Sequence, residues 1–173
     1  TGALVRVAAN NGFSATAVGF NYVDVLDATL AVGDYPVVDY DGSIQDGDLT
    51  AFQLRDVPPR MGLTLVENVG NSSLDLSVTS TNEPIRWTGA ASALWNINTT
   101  TNWQTAAGGT PTAYLQPLTL GDAVIFDDSA VGNFSVTVST PVQPVSLAVS
   151  NSANDYTFAG SPIGGATGLD KDG

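Results

Sequence analysis

Three sets of side chains in this sequence have types and spacings that could do chemistry. The first is the acidic stretch Asp39-Tyr40-Asp41-Gly42 through Asp46-Gly47-Asp48. Calcium takes several oxygen ligands, so Asp39, Asp41, Asp46 and Asp48 are candidate calcium ligands. The EF-hand frame does not fit them. With Gly42 at the turn position the first ligand would be Val37, and Asp48 stands where a closing Glu belongs. A solvated acidic turn accounts for the same residues. The second set is Asp122, Asp127 and Asp128, which flank an apolar run. Two carboxylates can serve as the acid and base of a glycosidase, but polar turns bounding a short strand explain them without any reaction. The third set is Trp87, Trp95 and Trp103, all within seventeen positions. Exposed rings would stack on sugars, whereas buried rings would plug the junction between two β lobes. The plug is the preferred reading.

Other reactive groups are scarce. The chain has no cysteine and no histidine, which removes the Ser-His-Asp triad, thiolate nucleophiles and ordinary zinc sites. No catalytic residue is assigned, no cofactor other than calcium is expected, and the chain does not read as an enzyme. Lys171 is the only lysine and lies between Asp170 and Asp172. An isopeptide bond would need it buried beside a carboxylic acid, and its surroundings read instead as a turn. Three Asn-x-Ser/Thr sequons, at Asn71, Asn98 and Asn133, are candidate glycosylation sites on turns or loops.

The elements that must position these groups are strands. The 173 residues carry a formal charge of −12, from seventeen acidic and five basic side chains. Such a surface repels nucleic acid and anionic lipid. No apolar run approaches membrane-spanning length, so no membrane insertion is expected. Hydrophobic residues make up 43% of the chain, which argues against disorder. Short runs of alternating apolar residues recur throughout, at 3–8, 15–20, 22–32, 35–40, 49–55, 134–139, 145–149 and 156–158, separated by Asn, Gly and Pro. Turns are expected at Asn10-Asn11-Gly12 and Gly33-Asp34. Pro36 places its strand's start at a free edge or just outside the ladder. The clearest local signal is an antiparallel hairpin over 62–79. Leu63 and Leu65 alternate on one arm, Leu74, Leu76 and Val78 on the other, about Gly70-Asn71. The expected fold is all-β in two lobes: 1–83, sandwich-like, and 84–173, sandwich or β-solenoid, with the tryptophans near their junction.

Each end of the chain reads as half of one hairpin or one coil of a repeat. Written tail to head they give GLDKDG–TGALVRV, a strand, an Asp-Gly turn and a strand. This seam resembles the L-x-K-x-G-x-G-x-L-x-L pattern of the autotransporter-associated β-strand repeat family of large bacterial surface proteins. The Trp87-Thr88-Gly89, Trp95-Asn96 and Thr101-Asn102-Trp103 segments, followed by Gly121-Asp122-Ala123-Val124-Ile125-Phe126-Asp127-Asp128, are similar to that family as well. The likeness spans roughly residues 34–173; Asn10-Asn11-Gly12-Phe13 stands where the family has N-T-Y-T-G. It implies one repeat unit of an extracellular or cell-surface fibre, partnered by copies of itself. The expected junction comprises Thr1, Gly2, Leu4, Val5, Val7, Leu169, Lys171, Asp172 and Gly173. The alternative is an adhesin or carbohydrate-binding module that engages glycans through its tryptophans. No shorter repeat is apparent within the chain.

Overall fold

The structure, a computed structural model, describes residues 5–8, 21–25, 29–44, 49–165 and 168–173. It is all-β, with several sheets and, among the described residues, no α-helix. No helix there is long and apolar enough to cross a membrane. The chain divides into two compact units. One is Thr1–Val57 with Met61–Thr81, and the other is Pro58–Arg60 with Asn82–Gly173. The sequence boundary at 83/84 lies two residues past this division. Sequence reading also missed that Pro58–Arg60 belongs with the C-terminal unit.

In the N-terminal unit a four-stranded sheet runs β1 (Val5–Val7), β3 (Gly33–Tyr40), β6 (Ser73–Ser80), β5 (Gly62–Asn68). β5 and β6 form the expected hairpin, with Leu63 opposite Val78 and Leu65 opposite Leu76. Apolar residues opposite one another on one face bury together, and Leu74, Leu76 and Val78 are 0–5% exposed. β1 lies parallel to β3, pairing Val5 with Val38 and Val7 with Tyr40. A second, two-stranded parallel sheet joins β2 (Asn21–Asp24) to β4 (Phe52–Arg55).

Four sequence expectations are corrected in this unit. Gly33-Asp34 is strand, not turn, because β6 is long enough to pair with both residues. Pro36 is inside β3 at a register shift, opposite Asp75, where the missing N–H costs the β3–β6 ladder least. Residues 49–51 wind as a 3₁₀ turn, and strand alternation begins at Phe52, where β2 first provides a partner. Strand structure ends at Asp24 in the 22–32 run, and Val32 is exposed outside any strand. The expected strand at 15–20 and turn at 10–12 lie outside the described residues.

The C-terminal unit is dominated by parallel pairing. Its six-stranded sheet has the order β10 (Pro111–Thr112), β9 (Trp103–Thr105), β7 (Ile85–Trp87), β11 (Gly121–Asp127), β13 (Pro144–Ser150), β15 (Leu169–Asp172). From β7 to β15 every pairing is parallel. Beside it a three-stranded parallel sheet runs β8 (Leu94–Trp95), β12 (Ser135–Val138), β14 (Thr157–Gly160). The chain alternates between the two sheets, β11 to β12, β13 to β14, then β15. Single parallel bridges, Ile97 to Tyr114 and Val142 to Ile163, lie outside the strands.

Candidate functional site

The three tryptophans are the core of the C-terminal unit itself. Trp87, Trp95 and Trp103 are 0–1% exposed and pack with Tyr114 and Phe126, all within that unit. Trp103 meets Trp87 edge-on at 5.0 Å, and Trp95 at 5.3 Å. Phe126 lies within 5.3–5.7 Å of all three. Trp87 donates its indole N–H to Asn133 O at 2.7 Å. The equally buried Trp95 nitrogen has no hydrogen-bond partner. Two sequence readings are thereby corrected. Rings this buried offer no face to a sugar, and a cluster made wholly of one unit's residues is that unit's core and not a junction plug.

Sequence reading missed what orients this cluster. Asn102, next to Trp103, is fully buried. Its carbonyl oxygen accepts from the amides of Ala91 and Ser92, and its NH₂ donates to Ser92 Oγ and Leu94 O. Its backbone oxygen accepts from Thr88 N and Gly89 N. A buried amide with its side-chain donors and acceptor all matched fixes one local geometry. That geometry holds the Trp87-Thr88-Gly89 turn and the start of β8. Gly89 has φ +60°, and a Cβ there would sit 2.6 Å from Asn133 N. The signal available in the sequence was an Asn abutting a Trp in a segment otherwise built of Thr and Asn.

The three carboxylates of the β11 segment each have a structural partner. Asp122, 0% exposed, accepts from Arg60 Nε at 2.9 Å and Nη2 at 3.2 Å, and from Leu115 N at 2.8 Å. Arg60 also donates to Thr112 Oγ1 and Ala113 O. Burial pushes the Asp122 carboxyl above its ordinary value, against the pull of the Leu115 amide and Arg60. Asp127 pairs with Arg86 Nε at 2.6 Å. Asp128 accepts from the amides of Ser152, Ala153 and Asn154, so it closes the loop between β13 and β14. Those amides, Ser152 first, hold its carboxyl below the ordinary range. Asp122 and Asp127 stand five residues apart on one strand, roughly 16 Å, beyond the reach of a glycosidase pair.

At the acidic stretch, Asp39 lies one residue before the end of β3 at Tyr40, and Asp41 follows the strand. With Gly42, Asn71 and Ser72 they line a polar depression of ≈ 320 Å³. Asp46 and Asp48 lie outside the described residues. Among the described residues no group of three or more metal-ligating side chains comes together. All three sequon residues are exposed, Asn71 in the hairpin turn and Asn98 at φ +53°. Asn133 already spends its side-chain NH₂ on Gly89 O.

Of the expected junction residues, Thr1, Gly2 and Leu4 lie outside the described residues. Val5 and Val7 belong to β1, an edge strand of its sheet. Leu169, Lys171 and Asp172 belong to β15, and Gly173 follows it. β14 and β15 are edge strands of the two sheets of the C-terminal unit, each parallel to its neighbour. Every residue of both is exposed, including Phe158 at 38% and Leu169 at 65%. Behind them a groove of ≈ 440 Å³ is lined by Leu147, Val149, Tyr156, Phe158, Leu169 and Lys171, among others. Lys171 is exposed, so the setting an isopeptide bond requires is absent. This edge is the candidate functional site, and what it offers is backbone pairing and apolar burial. Comparison with protein-family models, with curated proteins and with solved structures finds no match.

Proposed function

We propose that the chain is a structural unit of an extracellular fibre, its copies joined end to end through edge strands. The observation that carries this reading is that both sheets of the C-terminal unit end in exposed, parallel-paired strands, β14 and β15, with apolar side chains unburied. An exposed edge of this kind is a template for another strand, and adding one satisfies backbone groups and buries those side chains. The ladder is regular enough to extend. Val124 pairs with Leu147, 23 positions on, and Leu147 with Leu169, 22 positions on. In the neighbouring sheet Val136 pairs with Phe158, also 22 positions on. This spacing supports a solenoid-like C-terminal unit.

A fibre at a cell surface also accords with the exposed sequons and with the resemblance of the seam to autotransporter-associated repeats. The alternative of a carbohydrate-binding module loses the residues that suggested it, because the tryptophans are buried. Electron microscopy of the concentrated protein tests the proposal, with beaded threads as the expected result and isolated particles at every concentration as the refuting one. Boiling in detergent then distinguishes strand-exchanged subunits, which fall to single-chain mass, from one continuous chain, which does not.

A further inference from the structure

The inward column of the six-stranded sheet ends in a charge. In parallel register, paired residues point to the same side of a sheet. Leu147 pairs with Leu169, and Val149 with Lys171. Leu147 and Val149 are 9% and 6% exposed, so their side is the interior. Leu169 continues the apolar column, whereas Lys171 sets the chain's only lysine on the line that Phe126 and Val149 occupy. Its ammonium donates to Asp172 O and Gly173 O, both at 2.9 Å.

We propose that this groove receives a strand from a second copy of the chain, and that Lys171 selects which strand. The arriving strand sets an apolar side chain against Leu169 and a carboxylate against Lys171. This deepens the end-to-end reading above and rests on it. An open apolar edge would accept almost any strand, and an inward-pointing charge is a known way to prevent that. Covering Lys171 with an apolar strand strands an ammonium out of water, whereas a carboxylate compensates it. A copy of this chain fits the requirement on charge, with seventeen acidic residues against five basic ones. The apolar-x-Asp spacing occurs on its own edge strand β2, as Tyr22 and Asp24, where Asp24 would exchange its solvent-exposed Arg55 partner for Lys171. The receiving edge differs from the strand it takes, so the contact is head-to-tail, the kind that extends into a filament unless the rotation between copies closes a ring.

Sedimentation velocity on a concentration series, at about 0.15 M salt, tests this with wild type, Lys171→Glu and Lys171→Leu. Wild type is expected to associate. Lys171→Glu sets two carboxylates face to face and should weaken association with itself by roughly 30-fold or more. Mixed with wild type it should still form heterodimers, because only its receiving groove is altered. Lys171→Leu should associate at least as tightly as wild type, since an apolar replacement removes the need for a partner charge. Unchanged tryptophan emission verifies that each variant is folded. Self-association of Lys171→Glu equal to wild type overturns the inference and leaves the end-to-end reading standing. A wild type that stays monomeric throughout overturns both.

Discussion

Replacing Arg60 by Met should destabilise the C-terminal unit by about 3–5 kcal/mol, the usual cost of removing one partner from a buried ion pair. Asp122 is 0% exposed and would keep only the Leu115 amide of its three donors. For a unit of this size, with a total stability on the order of 5–14 kcal/mol, that is a severe loss. The pH dependence makes the cause testable. Burial raises the folded-state pKa of Asp122 above 3.8, its ordinary value. A carboxyl raised on folding binds its proton more tightly in the native state, so its ionisation lowers stability as pH climbs through the folded value. Without Arg60 that effect should grow. The deficit of Arg60→Met should therefore be largest near pH 7 and shrink as pH falls through the raised folded-state value and Asp122 takes up its proton. Asp122→Asn combined with Arg60→Met should recover most of the loss, because Asn still accepts from the Leu115 amide and carries no charge. Urea unfolding followed by tryptophan fluorescence reads this directly, since all three tryptophans lie in the same unit. A deficit under about 1 kcal/mol, or one that does not change with pH, would show that the pair is not what holds this corner.

Trp95→Ala should cost about 3–5 kcal/mol in the same assay. Trp87→Phe should cost about 1–2 kcal/mol more than Trp95→Phe, because it orphans Asn133 O while the Trp95 nitrogen has no bond to lose. Equal costs would refute that difference. The carboxyls of Asp128 and Asp24 are held below 3.8, by loop amides and by Arg55 respectively. Their contribution is thus present above the ordinary carboxylate range and lost as pH falls toward the lowered values. Asp128→Asn should flatten the acid side of the stability profile and speed hydrogen exchange at Ser152 to Asn154; unchanged exchange there would count against the loop-closing role. Gly121→Ala should be far costlier than its size suggests, because a Cβ would sit 1.8 Å from the Tyr114 hydroxyl. A melting temperature within a degree or two of wild type would mean that Tyr114 moves aside easily.

What could be read from the sequence was local. The 62–79 hairpin was visible because Leu63, Leu65, Leu74, Leu76 and Val78 alternate about a Gly-Asn turn, so pattern and turn lie within one short window. The strands at Ser135–Val138 and Pro144–Ser150 were visible for the same reason. The parallel ladders were not. Their partners lie 22 to 43 positions apart, and no adjacent residues encode that register. The β7-to-β11 interval also contains β8, β9 and β10, which hides any short period. Arg60 escaped notice because its partner is 62 positions away. The tryptophans were correctly singled out and wrongly placed, since ring type signals burial and does not say in which core. At the candidate site, Leu169 and Lys171 stood out from the seam, while the groove beneath them depends on Leu147, Val149 and Tyr156, which only folding brings near.

The tripeptide Pro58–Arg60 has a consequence for how this protein can be divided. It belongs to the C-terminal unit yet is bounded on both sides by segments of the other one, so the two halves are threaded and not consecutive. A fragment beginning at Asn82 would leave Asp122 in the interior without its guanidinium. Gene fusion, limited proteolysis or exon shuffling that severed the chain at Thr81 would therefore yield a damaged second half. The smallest heritable piece that keeps Asp122 paired starts no later than Arg60, and it carries the 62–79 hairpin as a passenger.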